Sequence, residues 1–173
     1  MTSQSKILNN IISEFDRRVY EEGYARIEKC LTYFSEEEVW HRPNENTPSL
    51  ANLVLHLSGN VRQWICAGLG GKADVRKRDT EFSAKGGYTK KELLEIVETA
   101  INDAKEVLNT VNLEDLESMK KVQVYEESGL TIVMHVIEHF SYHVGQITYA
   151  AKTMKNVDTQ YYPEDLGLSL IHI

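Results

Sequence analysis

Three of the chain's six histidines, His135, His139 and His143, stand four residues apart within the stretch 131–154, TIVMHVIEHFSYHVGQITYAAKTM. At 3.6 residues per turn, a step of four rotates a helical side chain by only about 40°. His139 and His143 therefore sit one above the other, with Cβ atoms roughly 5–6 Å apart. Two imidazoles so placed can share one metal ion through bonds of about 2.0–2.1 Å. A divalent ion needs at least a third ligand, which the pair does not supply. The plain alternative is a set of buried, hydrogen-bonded rings, since a buried imidazole needs a partner for its polar atoms.

The stretch carrying these rings reads as a helix. Val133, Val136, Ile137, Phe140, Val144, Ile147, Ala151 and Met154 recur at steps of three and four, the helical period. Three other segments repeat that signal. Leu8, Ile11, Ile12, Phe15, Val19, Ile27, Leu31 and Phe34 mark a long amphipathic helix over 4–34, with Gly23 as its weak point. Leu50, Leu53, Val54, Leu57, Val61, Trp64 and Ile65 mark another over 49–68. Leu93, Ile96, Val97, Ala100, Ile101, Ala104, Val107, Leu108 and Val111 mark a third over 89–111, capped by Thr89. With the histidine helix at 130–155, these predict an all-α four-helix bundle. The long connections are expected to cover one end, where a site could be sheltered. Residues 1–173 are expected to form a single domain with an irregular tail over 156–173.

The second helix carries the one histidine outside the 130–155 helix that falls on a core-facing stripe. His56 follows Leu53 by three residues and precedes Leu57, so it falls on or beside the buried face, and Asn60 lies four further on. A structural histidine is the plain reading of His56. His41 falls in a loop and His172 in the terminal tail.

The connections carry little periodicity. Residues 68–87 hold five glycines and a charged string, and read as a long loop in which Arg76, Lys77 and Arg78 are solvated. The GLGGK there lacks the spacing and the preceding strand of a phosphate loop. Residues 112–118 read as a connector. Residues 120–125 alternate polar and apolar as a short extended piece, too brief to seed a sheet.

Composition narrows the partners. A formal net charge of −7 argues against nonspecific nucleic-acid binding. No apolar run approaches the ~18 residues of a membrane span, and the first residues lack a signal-peptide core. A cytoplasmic location is the expectation. Cys30 and Cys66 fit no metal or redox spacing and read as free buried thiols.

Two of these segments resemble a known family. His139-Phe-Ser-Tyr-His143-Val-Gly-Gln-Ile147 is similar to the HxxxHxGQI signature of the DinB-like superfamily. Residues 49–60, SLANLVLHLSGN, resemble that family's second-helix motif. WHRP at Trp40 and RDTEF at 78–82 resemble a branch described mainly as of unknown function. The resemblance implies a divalent metal, zinc or nickel, held by His56, His139 and His143. His135 is then expected to be structural or to hydrogen-bond a ligand. Asn60, Tyr142 and Gln146 are candidate substrate-orienting groups. It further implies a homodimer, to which the apolar tail would contribute, and a thiol-dependent S-transferase that activates a low-molecular-weight thiol towards an electrophile. The alternatives are a metal-dependent hydrolase using ion-activated water and a non-catalytic bundle stabilised by its metal.

Overall fold

The computed structural model describes residues 3–162. Helix α1 runs over 3–32 as one continuous helical path, α-helical at Ser3–Phe15, π-helical at Asp16–Tyr24 and α-helical again at Ala25–Thr32. A 3-10 turn at Glu38–Trp40 follows. Helix α2 is α-helical over Leu50–Val61 and continues as a π-helix over Arg62–Leu69. Then come short α3 (Arg78–Ser83), long α4 (Lys90–Leu108), short α5 (Leu113–Glu117), strands β1 (Met119–Val122) and β2 (Tyr125–Ser128), and α6 (Gly129–Lys155). The fold is an all-α bundle in which α1 and α2 each pack against both α4 and α6.

The helix ends are set by short polar side chains. Ser49 and Asn52, Thr89 and Glu92, and Asn112 and Asp115 form reciprocal capping boxes at α2, α4 and α5, which satisfy amide groups the first turn leaves free. Helix α6 begins at Ser128, whose side chain accepts from the Thr131 amide, and stops at Asn156 in the left-handed region, φ 50°.

The core is the four apolar stripes meeting. Phe15, Val19 and Ile27 of α1, Phe140, Val144 and Ile147 of α6, Val54 and Leu57 of α2 and Val97 and Ile101 of α4 are all buried in one cluster. At Gly23, in the π-helical part of α1, an added Cβ would lie 2.7 Å from the Phe140 ring. Glycine thus lets that ring rest on the α1 backbone, and Phe140 is the residue after His139.

Three connections differ from the sequence expectation. The loop over 68–87 contains α3, and the connector over 112–118 contains α5. Residues 119–128 form a two-stranded antiparallel hairpin, with Met119 opposite Ser128 and Val122 opposite Tyr125. Pattern reading missed the hairpin because its return strand, YEES, is polar and exposed to half-buried, with no apolar face. Among the described residues no helix is long and apolar enough to cross a membrane. The apolar segment of the tail lies outside the described residues.

Candidate metal site

His56 comes from α2 and His139 and His143 from α6, whose packing brings the three rings together. Their centroids form a near-equilateral triangle with sides of 4.9, 4.9 and 4.5 Å. One nitrogen from each ring lies within 4.8 Å of the others. The Nε2 atoms of His56 and His139 are 3.1 Å apart. Two nitrogens on one tetrahedral ion with bonds of ~2.0–2.1 Å are separated by ~3.3 Å, so this pair already has coordination spacing.

At His143 and His56 the other ring nitrogen has a partner that leaves Nε2 free to point inward. Nδ1 of His143 lies 2.7 Å from Oε1 of Gln146, one turn along the same helix, and donates to it. Nδ1 of His56 lies 3.0 Å from Oε2 of Glu81. Arg76 grips that carboxylate at both oxygens, Nε to Oε1 at 2.7 Å and Nη2 to Oε2 at 2.7 Å, the bidentate arrangement that guanidinium favours. Burial pushes the Glu81 carboxyl up, but the hydrogen bonds and charge of Arg76, then those of His56, outweigh it and hold it below the usual range. Glu81 is therefore ionised and accepts the His56 Nδ1 proton. Nη2 of Arg76 also lies 3.1 Å from that nitrogen; with both groups donating, the carboxylate oxygen receives both.

Local sequence explains how Glu81 gets there. Asn52, one turn before His56 on the same face of α2, donates from Nδ2 to the Glu81 and Ala84 carbonyls at 2.8 and 2.9 Å. Its Oδ1 meanwhile closes the Ser49 cap. One amide thus ends the loop, starts the helix and clamps α3 across it. Phe82 of α3 packs its ring 4.7 Å from that of His56.

Burial favours the neutral ring at His139 and at His143. Burial, then the neighbouring charges of His143, His56, His135 and Arg76, push His139 down to about 3. Burial also lowers His143, against a smaller upward push from its Gln146 hydrogen bond. Neutral imidazole is the form that binds a metal. Nδ1 of His139 is buried without a hydrogen-bond partner among the described residues.

The remaining expected residues are placed differently. His135 lies beside the triad, its ring 5.5 Å from His139 and stacked 3.7 Å from Trp64. Asn60 is buried and donates weakly to Nε2 of His135 at 3.4 Å, so it faces His135 and not a ligand. Tyr142 is 63% exposed, its ring edge-on to His143. Gln146 orients His143. Arg76, expected in a solvated loop, has a side chain only 5% exposed. Glu81 and Arg76 are the functional candidates that residue patterns missed. The signal available was indirect, namely that a buried His56 needs an acceptor. A cavity of about 630 Å³ is lined by Arg76 and Glu81 but by none of the three histidines.

Residues 6–162 match a family described as protein of unknown function, DUF1572. The chain belongs to that family. The fold is similar to the crystal structure of a DinB-like protein (YjoA) from Bacillus subtilis, with TM-score 0.62 and 17% identity over 86% of this chain and 94% of that one. This DUF1572 member thus shares the fold of that DinB-like protein. No curated protein matches it. Its three-histidine group is compatible with a metal-binding protein.

Proposed function

We propose that this DUF1572 protein is a divalent-metal-dependent enzyme, a thiol S-transferase that activates a low-molecular-weight thiol. The observation that carries the reading is three converging histidines with no fourth protein ligand grouped with them among the described residues. Three-histidine sites with an open position are catalytic in type, whereas structural zinc is closed by four protein ligands. Glu81, the buried carboxylate beside the site, is not free to close the sphere, because Arg76 and His56 occupy its oxygens.

His56, His139 and His143 would hold zinc or nickel, both suited to imidazole. A bound ion would supply Lewis acidity, lowering the pKa of a thiol in the open position. The chain's own residues prepare that site: Gln146 and Glu81 each hold an Nδ1 proton, and Phe82 packs its ring against that of His56. Three neutral ligands leave the ion's charge uncancelled, which favours an anionic sulfur. The thiol and electrophile pair is the proposed substrate class, with no nucleic-acid or membrane partner. A cytoplasmic homodimer is part of the same reading; Met134, Tyr142 and Tyr149 are exposed along α6.

The test is to load the protein with zinc or nickel and supply a panel of small thiols with chlorodinitrobenzene. Conjugation that needs both thiol and metal is the expected result. Ester or amide cleavage without thiol would shift the assignment to a hydrolase, and protein that takes up neither ion would end the metal reading.

A further inference from the structure

We propose that Glu81, held by Arg76, is the positioning residue that fixes His56 as a metal ligand, and that residue 59 is glycine so that this pair can reach it. The inference rests on the metal reading above and assigns roles to groups outside the triad. An imidazole has two nitrogens, and nothing in its own chemistry decides which one carries the proton. In His56 the choice decides whether a lone pair or a proton faces His139. The Glu81 carboxylate settles it by accepting a hydrogen bond from Nδ1–H, which keeps the proton on that nitrogen and leaves Nε2 bare at 3.1 Å from Nε2 of His139.

Glu81 is built as an orienter and not as a ligand. Oε1 accepts from Nε of Arg76, and Oε2 accepts from Nη2 of Arg76 and Nδ1 of His56. Arg76 is fixed in turn by Gln63, whose Oε1 accepts from Nη1 at 2.8 Å. The carboxylate is anchored through its own backbone by Asn52. The ion pair crosses directly over the α2 backbone at Gly59. A Cβ there would collide with Oε1 of Glu81 and lie 2.8 Å from Nε of Arg76. Both are polar atoms in fixed hydrogen bonds, so neither yields as a free side-chain end would. Gly59 follows His56 by three residues, so the α2 turn that presents the ligand also opens the space for its partner.

The test uses the full chain with ring-¹⁵N-labelled histidine and a zinc competition assay against a chelator. Metal-free wild type is expected to show His56 protonated at Nδ1. Glu81→Ala is expected to lose that tautomer and to weaken zinc binding by about 10–100-fold, the usual effect of removing a ligand's hydrogen-bond partner. Glu81→Gln keeps an acceptor oxygen and should restore the Nδ1 proton and part of the affinity. An unchanged tautomer with zinc affinity within about twofold of wild type in Glu81→Ala overturns the proposal. If thermal melts show Glu81→Ala unfolded, Glu81→Gln decides: zinc affinity equal to wild type overturns it, and a several-fold loss with the tautomer kept upholds it. Wild type that binds no zinc or nickel would sink the metal reading, while the tautomer measured without metal would still decide the role of Glu81.

Discussion

Nε2 of His56 and Nε2 of His139 face each other at 3.1 Å across the contact between α2 and α6, although 83 residues separate them in the chain. Two bare lone pairs repel at that distance. They coexist when one ring carries an Nε2 proton that the other accepts, and an ion of coordination spacing could take that proton's place.

Replacing His143 with Ala is expected to remove most bound metal, because two imidazoles do not fix a single ion's geometry. His135→Ala should cost less than about twofold in affinity, since His135 packs on Trp64 outside the triad. Elemental analysis of the purified variants checks both. Full metal in His143→Ala with loss in His135→Ala would reverse the ligand assignment.

Acid should weaken the metal-free fold in a defined window. His139 is held near about 3 in the folded chain, while an unfolded histidine titrates near ~6.5. The unfolded state binds the proton first, so its contribution to stability is complete above ~6.5 and is lost as pH falls towards about 3. Metal should also persist somewhat below the ~6.5 suggested by free imidazole, because His143 is lowered too. Urea melts and equilibrium dialysis between pH 8 and pH 4 read the two effects separately. Stability that does not fall below ~6.5 would contradict the burial of these rings.

The Gly23 contact gives a packing prediction. Gly23→Ala drives a methyl into the Phe140 ring, and overpacking of this kind costs about 1–3 kcal/mol. Phe140→Ala alone should cost about 3–5 kcal/mol. In the double variant the clash with the ring is gone and only the approach to the Arg18 carbonyl oxygen at 2.9 Å remains, so the combined loss should fall short of the sum by at least ~0.5 kcal/mol. Additive losses would mean that the two residues do not contact as described.

Arg76→Met leaves Glu81 buried without its counter-charge, an arrangement that costs about 3–5 kcal/mol. Pairing Arg76→Met with Glu81→Met should recover most of that stability, because no orphaned charge remains, yet it should not restore zinc affinity. Denaturant midpoints and chelator competition on the same samples separate the two quantities.

The bundle and the triad differ in how readable they are. Each main helix carries enough apolar residues at 3.6 spacing to show itself, and the observed 3–32, 50–69, 90–108 and 129–155 lie within a few residues of the pattern. The spacing of His139 and His143 declares a shared face because helical geometry is local. His56 could be placed on the inward stripe but not paired, since pairing across α2 and α6 is a tertiary fact. Arg76 and Glu81 were hidden for a further reason. A short helix of six residues, RDTEFS, shows no periodicity, and a basic cluster beside an acid reads as surface until burial is known. The π-helical turns at Asp16–Tyr24 and Arg62–Leu69 left no pattern beyond Gly23.

The separation between His56 and His139 also sets an order of events during synthesis. Helix α2, the Arg76–Glu81 pair and the Asn52 clamp are all made before the ribosome reaches α6, and they can form early because their partners are close in sequence. The metal pocket has no such early form, as it exists only once α6 is complete and docked. An unfolded or half-made chain offers an ion at best the adjacent His139 and His143, a weak chelate. Any loading of an ion would therefore be the last step of maturation, and a chain truncated before α6 is left with His56 oriented towards a partner it never receives.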